Sequence, residues 1–505
     1  MNSLVLDSPA ALAEEATLAA LLRCCIREVA GPRGHVWPAP PYLLLRVGGE
    51  LLRVRARGGA ALRFDAPPER LVRGAWAPLS VADLVRLAAT DLGDGNAEFA
   101  GQVAASRAAL AAILEARPAA TPPQDPWLAS EQALVYGHPF HPSPKARGGD
   151  GAWLRYAPET HAEFPLRLLG VRADAVAQEG DASVLDLLGQ APPGYRLLPA
   201  HPWQLDLLAP GFGGELIDLG PGPTVVPTSS VRTVYSPDAG ACLKFSLDVR
   251  ITNCVRKNAW YELTGAVELT RRLAPAFAEV TARFPGTRWL PEPGYRSAAG
   301  HLEGLGVIVR ASPWSVCSPG VTPVLAGAVD RPAVDPARWW AAYVEAVALP
   351  VLELYFTHGV VLEPHLQNVL VGLDYEGMPV EAVFRDLEGT KLVAGRHDLS
   401  GLPPRVAEAL TYDAERGWAR VVYCLLVNNL TEIAATLAPD DGTLRELWLI
   451  ARGVLDRHAE SLGRPLPLSD LLAGAPLPAK ANLSVRWARA ADRAAGYVPI
   501  ANPLA

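Results

Sequence analysis

The 505-residue chain is short of lysine. Lys145, Lys244, Lys257, Lys391 and Lys480 are the only ones among 46 basic residues, and the other 41 are arginine. Where Arg is the default cation, Lys is expected at positions that want a compact ammonium. Each of the five lies in or near a stretch discussed below. Basic runs are missing and the net charge is −7, which argues against nucleic acid as a partner. No run of about 18 uncharged apolar residues occurs, so no membrane span is expected. Cys24, Cys25, Cys242, Cys254, Cys317 and Cys424 are scattered among apolar neighbours without any C-x-x-C, and read as reduced core residues of a cytoplasmic protein. The start, MNSLVLDSPAALAEEATLAA, has no basic n-region and carries a Glu pair, unlike a signal peptide. No G-x-x-x-x-G-K-[ST] and no kinase-like Gly-rich loop is present, which excludes a P-loop enzyme.

The most informative stretch is Leu352 to Lys391. An apolar helical run from Trp339 to Phe356, with a kink expected at Pro350, is stopped by Gly359. Glu363-Pro364-His365-Leu366-Gln367-Asn368 forms a polar loop. Strands follow at Val369–Leu373 and Val380–Phe384 around a turn at 374–377, and the second delivers Arg385-Asp386-Leu387-Glu388-Gly389. Protein kinases arrange their Mg²⁺ ligands in this way, with an Asn in a loop and an Asp after a hairpin. Hard oxygen donors on two rigid elements suit Mg²⁺ bridging nucleotide phosphates. Asn368 and Asp386 supply them here, with Glu363 as a third candidate. An ordinary surface hairpin with polar ends is the competing reading.

A second hairpin is expected across residues 230–251. Leu243, Phe245, Leu247, Val249 and Ile251 alternate with Lys244, Ser246, Asp248, Arg250 and Thr252, as on a two-faced strand. A turn symmetric about Asp238 would set Arg232 opposite Lys244. Facing cations repel unless an anion lies between them, and a polyphosphate would serve, with the Ser230 hydroxyl adding to it. Thr252 and Asn253 are expected to cap a helix whose first turn holds Arg256 and Lys257, again calling for an anion. A solvated sheet face is the alternative.

Elsewhere, Gly137 to Gly149 (GHPFHPSPKARGG) forms a proline-held loop from which His141, Lys145 and Arg147 can reach one anion. Zinc is a weak rival with only two histidines, and histidines that merely bond loop backbone are another. The element Pro199-Ala200-His201-Pro202-Trp203-Gln204 is weaker still. Before residue 118 the pattern gives a helix at 8–30, a three-strand meander at 42–66 and helices at 80–92 and 97–116, without a chemical constellation. Residues 405–465 read as mostly helical.

In order, the motifs G-H-P-x-H-P-x-x-K-x-R, H-P-W-Q, S-x-R-T, K-F-S-L-x-x-x-x-T-N-x-x-R, E-P-H-x-Q-N and R-D-x-E-G resemble those of the siderophore synthetases that work independently of nonribosomal peptide synthetases, the IucA/IucC family. The resemblance runs from about residue 130 to the C-terminus. It implies an α+β, multidomain cupped hand, divided here as a thumb-like unit at 1–125, fingers at 126–325 and a palm at 326–505 carrying the kinase-like metal hairpin. It also implies a homodimer that uses ATP and Mg²⁺ to adenylate a carboxylic acid, commonly citrate, and then captures it with an amine or hydroxylamine. Ser230, Arg232, Thr233 and Lys244 would contact the ATP phosphates, with His141 and Lys145 nearby and Gln367 helping to hold the nucleotide. Asn368, Asp386 and Glu363 would hold Mg²⁺. Arg256 and His365 would bind substrate carboxylates, with Lys480 closing that pocket. Arg232, Lys244, Arg256 and His365 are thus the expected catalytic set. A small-molecule kinase and a non-catalytic ligand-binding relative remain as alternatives, but the loop E-P-H-L-Q-N lacks the kinase's catalytic Asp.

Overall fold

Alternation over 241–251 produces two strands where one is expected. Leu243, Phe245, Leu247 and Val249 are all buried in one core, but the run breaks at Ser246, whose N–H turns to Gly306 O and whose hydroxyl accepts from Asn258 N at 3.1 Å. The computed structural model describes residues 8–93, 95–147, 152–209, 214–251, 254–490 and 496–505. Strands β1 (Thr233–Ser236) and β2 (Ala241–Phe245) form a hairpin, and β2 pairs in turn with β3 (Val307–Ala311). All three lie at the middle of an eight-stranded antiparallel sheet in the order 195–200, 164–172, 216–227, β1, β2, β3, 294–298, 176–180. Leu247–Ile251 instead pairs with Cys254–Arg256 in a separate ribbon.

Two expectations are corrected here. Thr233, and not Arg232, lies opposite Lys244. The loop 237–240 has four residues and ends on Gly240 at φ 61°, so the hairpin axis falls between Asp238 and Ala239. The expected caps Thr252 and Asn253 lie outside the described residues. Cys254–Arg256 is strand, and the helix begins only at Trp260, where the Glu262 carboxylate accepts from Ala259 N at 2.9 Å. Arg256 and Lys257 are therefore in no first helical turn, and Lys257 pairs with Asp248 at 3.2 Å.

In the N-terminal part, helix α1 (Pro9–Cys24) continues into a wider π-turn segment at 25–30. The meander proves to be a five-stranded sheet spanning 36–78, because the Gly58-Gly59 region forms only a two-residue pair of its own. Its core of Leu21, Leu22, Leu45, Leu52, Leu84 and Leu87 also takes in Leu483, from near the opposite end of the chain.

The C-terminal part is built on helix α2 (Pro336–His358). It runs through Pro350 and ends on Gly359 at φ 65°, a left-handed C-cap that Gly adopts without a Cβ penalty. The buried residues Trp339, Trp340, Tyr343, Val347 and Val351 seat it in the largest core. Strands β4 (Val369–Leu373) and β5 (Pro379–Phe384) form the second expected hairpin. Thr322–Leu325 flanks β4 antiparallel, and Thr287–Trp289 flanks β5 parallel. Further on come helix α3 (Thr431–Leu437) and helix α4 (Asn482–Trp487), the latter preceded by the strand Leu477–Lys480. The fold is mixed α+β. Among the described residues no helix is long and apolar enough to cross a membrane.

Candidate active site

Strand β2 points its apolar alternates into the core, so Lys244 must face the other way. There it is 2 % exposed, a burial that an ammonium tolerates only with counter-charges. The counter-charges come from the loop after β5. Lys244 Nζ lies 2.7 Å from Asp386 Oδ1 and 2.9 Å from Glu388 Oε2. Arg232, just before β1, donates to Glu388 Oε2 at 2.6 Å and to Asn258 Oδ1 at 2.7 Å. Arg310, on β3, reaches Asp386 Oδ1 at 2.9 Å and is braced by Glu292 at 2.8 Å. Burial alone would push the two carboxyls up. Lys244 first, then Arg310 for Asp386 and Arg232 for Glu388, outweigh it and hold Asp386 well below the carboxylate range and Glu388 at about 2. Burial likewise works to lower Lys244, but Asp386 and Glu388 raise it, so it is a fixed ammonium. Asp386 sits at φ 72°, a left-handed conformation that costs a non-Gly residue energy and recurs where a side chain must be aimed.

Arg385, next in line, is what holds the two loops together. It donates to both oxygens of Glu131, at 2.5 and 3.0 Å, to Ser229 Oγ at 3.1 Å and to Gln367 O at 2.7 Å. Its N–H bonds Asn368 O at 3.1 Å. Gln367 Nε2 in turn donates to Ser229 O at 3.0 Å, so the loop before β4 is tied directly to the approach to β1. Burial would raise the Glu131 carboxyl, but Arg385 and the Ser229 N–H hold it below its ordinary value. Asn368 is buried, and its Nδ2 has no hydrogen-bond partner among the described residues. Glu363 Oε1 lies 3.3 Å from Arg420. Its carboxylate packs so closely on Gly389 that a Cβ there would come within 2.5 Å of Oε2, which gives the glycine of R-D-x-E-G a reason.

The histidines share one arrangement. Nδ1 accepts a backbone N–H two residues on: Phe140 for His138, Ser143 for His141, Trp203 for His201 and Gln367 for His365. An accepting Nδ1 leaves the proton on Nε2, so each ring is a neutral donor at its far end. Burial depresses His365, and takes His138 and His201 down to about 3. His201 serves as the N-cap of the helix Pro202–Leu208. Lys145 pairs with buried Glu159 and donates to Leu134 O at 2.6 Å.

One cavity of about 930 Å³ gathers the thirteen residues to which the family resemblance gave roles: His141, Lys145, Ser230, Arg232, Thr233, Lys244, Arg256, Glu363, His365, Gln367, Asn368, Asp386 and Lys480; Arg147 lines it too, while Lys257 and His201 do not. Eleven Lys and Arg side chains line it against six carboxylates, although the whole chain is acidic, so the cavity suits a polyanion. Several contributors were missed. Arg310 is the single charge in the apolar run Val-Ile-Val-Arg-Ala, a legible signal. Glu388, Glu131 and Arg385 stood inside or beside quoted motifs without a role. Arg23 and Arg63 come from the stretch that looked chemically silent. Among the described residues no three His, Cys, Asp or Glu side chains form a metal cluster.

Comparison with known proteins places the chain in a family. The model for the IucA / IucC family matches residues 126–329, and that for the ferric iron reductase FhuF-like transporter matches 337–495. The rhizobactin siderophore biosynthesis protein RhbC of Rhizobium meliloti (strain 1021) is 30 % identical, over 81 % of this chain and 82 % of its own length. The L-2,3-diaminopropanoate–citrate ligase of Staphylococcus aureus is 29 % identical, over 71 % and 72 %. Among solved structures, the ATP-bound aerobactin synthetase IucA of Klebsiella pneumoniae superposes with a TM-score of 0.82 at 23 % identity, covering 97 % of this chain and 99 % of that one. The chain belongs to the IucA/IucC family.

Proposed function

We propose that the protein is an ATP-dependent ligase of carbon–nitrogen bonds in siderophore synthesis. It adenylates a carboxylic acid, citrate or a citrate derivative, and condenses it with an amine or hydroxylamine, releasing AMP and pyrophosphate. The observation that carries this reading is the meeting of Arg232, Lys244 and Arg310 with Asp386, Glu388 and Asn368 in one cavity. The names of the relatives, citrate ligases among them, point the same way.

ATP would lie with its phosphates on Ser230, Arg232, Thr233 and Lys244, beside His141 and Lys145, with Gln367 against the nucleotide. The amide of Asn368 and the carboxylates of Asp386 and Glu388 are hard oxygen donors on adjoining loops of a kinase-like hairpin, and fit Mg²⁺. The unpartnered Nδ2 leaves the Asn368 amide able to turn its oxygen to a cation. Glu363 joins this set if it leaves Arg420. Bound there, Mg²⁺ would neutralise charge on the phosphates. Arg256, the His365 Nε2–H and Lys480 bind the carboxylates of the acid.

A substrate carboxylate oxygen attacks the α-phosphorus, forming the acyl–phosphate bond. The bond from the α-phosphorus to the bridging oxygen breaks, and pyrophosphate leaves with the electron pair. Arg232 and Lys244 stabilise the charge that develops. The amine lone pair then attacks the acyl carbon, the bond to AMP breaks with its electrons going to AMP, and the amine sheds a proton. Proximity in the cavity speeds this step without a covalent enzyme intermediate. The kinase alternative needs a base in the 363–368 loop. His365, with Nδ1 already accepting and its pKa lowered, is a donor there, and Glu363 is paired with Arg420. In this reading, thumb, fingers and palm at 1–125, 126–325 and 326–505 enclose the cleft of a cytoplasmic homodimer.

The test supplies ATP, Mg²⁺ and citrate, with hydroxylamine as surrogate nucleophile. AMP, pyrophosphate and a hydroxamate are expected, and formation of ADP would refute the ligase mechanism.

A further inference from the structure

Besides the phosphate-site residues, the same cavity is lined by side chains of the N-terminal part and of α3. Leu12, Glu15, Ala16, Ala19, Ala20 and Arg23 recur on one face of α1 at helical spacing and line it, and the small alanines leave room. Arg63 and Phe64 stand beside them, with Glu432 and Thr436 from α3. Arg23 is anchored through Nε to Leu62 O at 2.9 Å and lies 5.1 Å over the Phe64 ring, so its terminal nitrogens are the part left to face a ligand. Arg63 spends Nη2 on Glu432 Oε2 at 2.9 Å and on Thr436 Oγ1 at 3.4 Å. Glu432 itself is 5 % exposed, and its second oxygen, Oε1, has no hydrogen-bond partner among the described residues. A buried carboxylate oxygen without a donor is costly, and beside a cavity it is a place for a ligand cation.

Resting on the ligase reading above, we propose that this part of the cavity receives the nucleophile, and that the nucleophile is a diamino acid. Arg23 and Arg63 take its carboxylate, Glu432 Oε1, with Glu15 at the rim, takes its second ammonium, and the other amine is left to attack the acyl adenylate. Among the side chains that line this part of the cavity, Arg23 and Arg63 balance Glu15 and Glu432, and behind them Arg27 is offset by Glu28, which matches a zwitterion. A polyamine would meet two like charges with nothing to pair them, and a dicarboxylate would meet the two acids.

The test sets 2,3-diaminopropanoate, 2,4-diaminobutanoate, ornithine and lysine each against the diamine left when its carboxylate is removed, with the wild-type protein, ATP, Mg²⁺ and citrate. At least one diamino acid should exceed its diamine about tenfold or more in kcat/KM. Arg23→Gln combined with Arg63→Gln should erase most of that preference. Glu432→Gln should raise the KM for the preferred diamino acid about tenfold, well beyond its effect on hydroxylamine trapping, since hydroxylamine carries neither group. Diamines that match or beat their diamino acids throughout would overturn the proposal, as would rejection of every amine while hydroxylamine is trapped. A wild-type protein that forms no AMP even with hydroxylamine would instead defeat the ligase reading.

Discussion

Glu131 and Arg385 offer a measurement that depends on no substrate. Glu131 is fully buried, and its carboxylate takes both Arg385 bonds, the Ser229 N–H at 3.0 Å and Trp127 Nε1 at 2.8 Å. Glu131→Leu strands the Arg385 guanidinium with only neutral acceptors, a loss expected to cost about 3–5 kcal/mol. Arg385→Leu strands the carboxylate and should cost a similar amount. With both replaced by leucine the pair leaves no buried charge, and what is lost is the hydrogen bonds to Ser229 N, Ser229 Oγ, Trp127 Nε1 and Gln367 O, about 1–3 kcal/mol in all once neighbours relax. The double variant should therefore be more stable than either single one, with a coupling of several kcal/mol. Urea midpoints followed by tryptophan fluorescence give the comparison, since Trp127 reports on the site directly. Single losses below about 1 kcal/mol, as for an exposed pair, or losses that simply add in the double variant, would refute the reasoning.

Lys244→Met should cut hydroxamate formation about 100-fold or more, in the range of lost transition-state donors, measured as AMP released per minute with folding checked by circular dichroism. Gly389→Ala should put a Cβ against the Glu363 carboxylate, barring it from the Mg²⁺ set, and lower AMP release at least tenfold, while shifting the melting temperature by only a few degrees. Acid should act through Glu388. Its folded pKa of about 2 lies below the unfolded value, so its stabilisation is complete above about pH 5 and is lost as pH falls toward 2; Glu388→Gln should flatten an acid melting curve in that window. Glu28 works in the opposite sense. Burial pushes its carboxyl up to about 7, so the native state holds the extra proton and stability declines as pH rises from about 4.5 through 7. Glu28→Gln should remove that decline in melting temperatures taken from pH 5 to 8.

What could be read from the sequence was whatever local pattern controls. Helix α2, its glycine stop and the β4–β5 hairpin follow from periodicity and turn residues, and Asn368 and Asp386 could be named because the hairpin fixes their spacing. The alternation around Lys244 told which face is core, but not the register. A one-residue difference in loop count moved Arg232 off the position opposite Lys244, and no periodicity reports it. Partners distant in the chain were invisible for a plainer reason. Glu131 meets Arg385 across 254 positions, and Arg63 meets Glu432 across 369. Neither residue of either pair has a local pattern that demands the other. The N-terminal part looked silent because the side chains it sends to the cavity are scattered, some on α1 and others at Arg63 and Phe64.

The sheet around β4 and β5 draws its outer strands, Thr287–Trp289 and Thr322–Leu325, from the stretch that precedes α2. Leu290 N bonds Phe384 O at 2.9 Å immediately afterwards, and two residues further on Glu292 braces Arg310 against Asp386. The two walls of the cleft are thus woven together at the point where their charges meet. Lys244 and the loop after β5 meet there in direct ion pairs, so phosphates that take up Lys244 must share it with Asp386 and Glu388. The same weave means the protein cannot be divided for expression near residue 330. Each half would carry a raw β edge, open to pairing with its own copies, and soluble halves would be recovered only by producing both together.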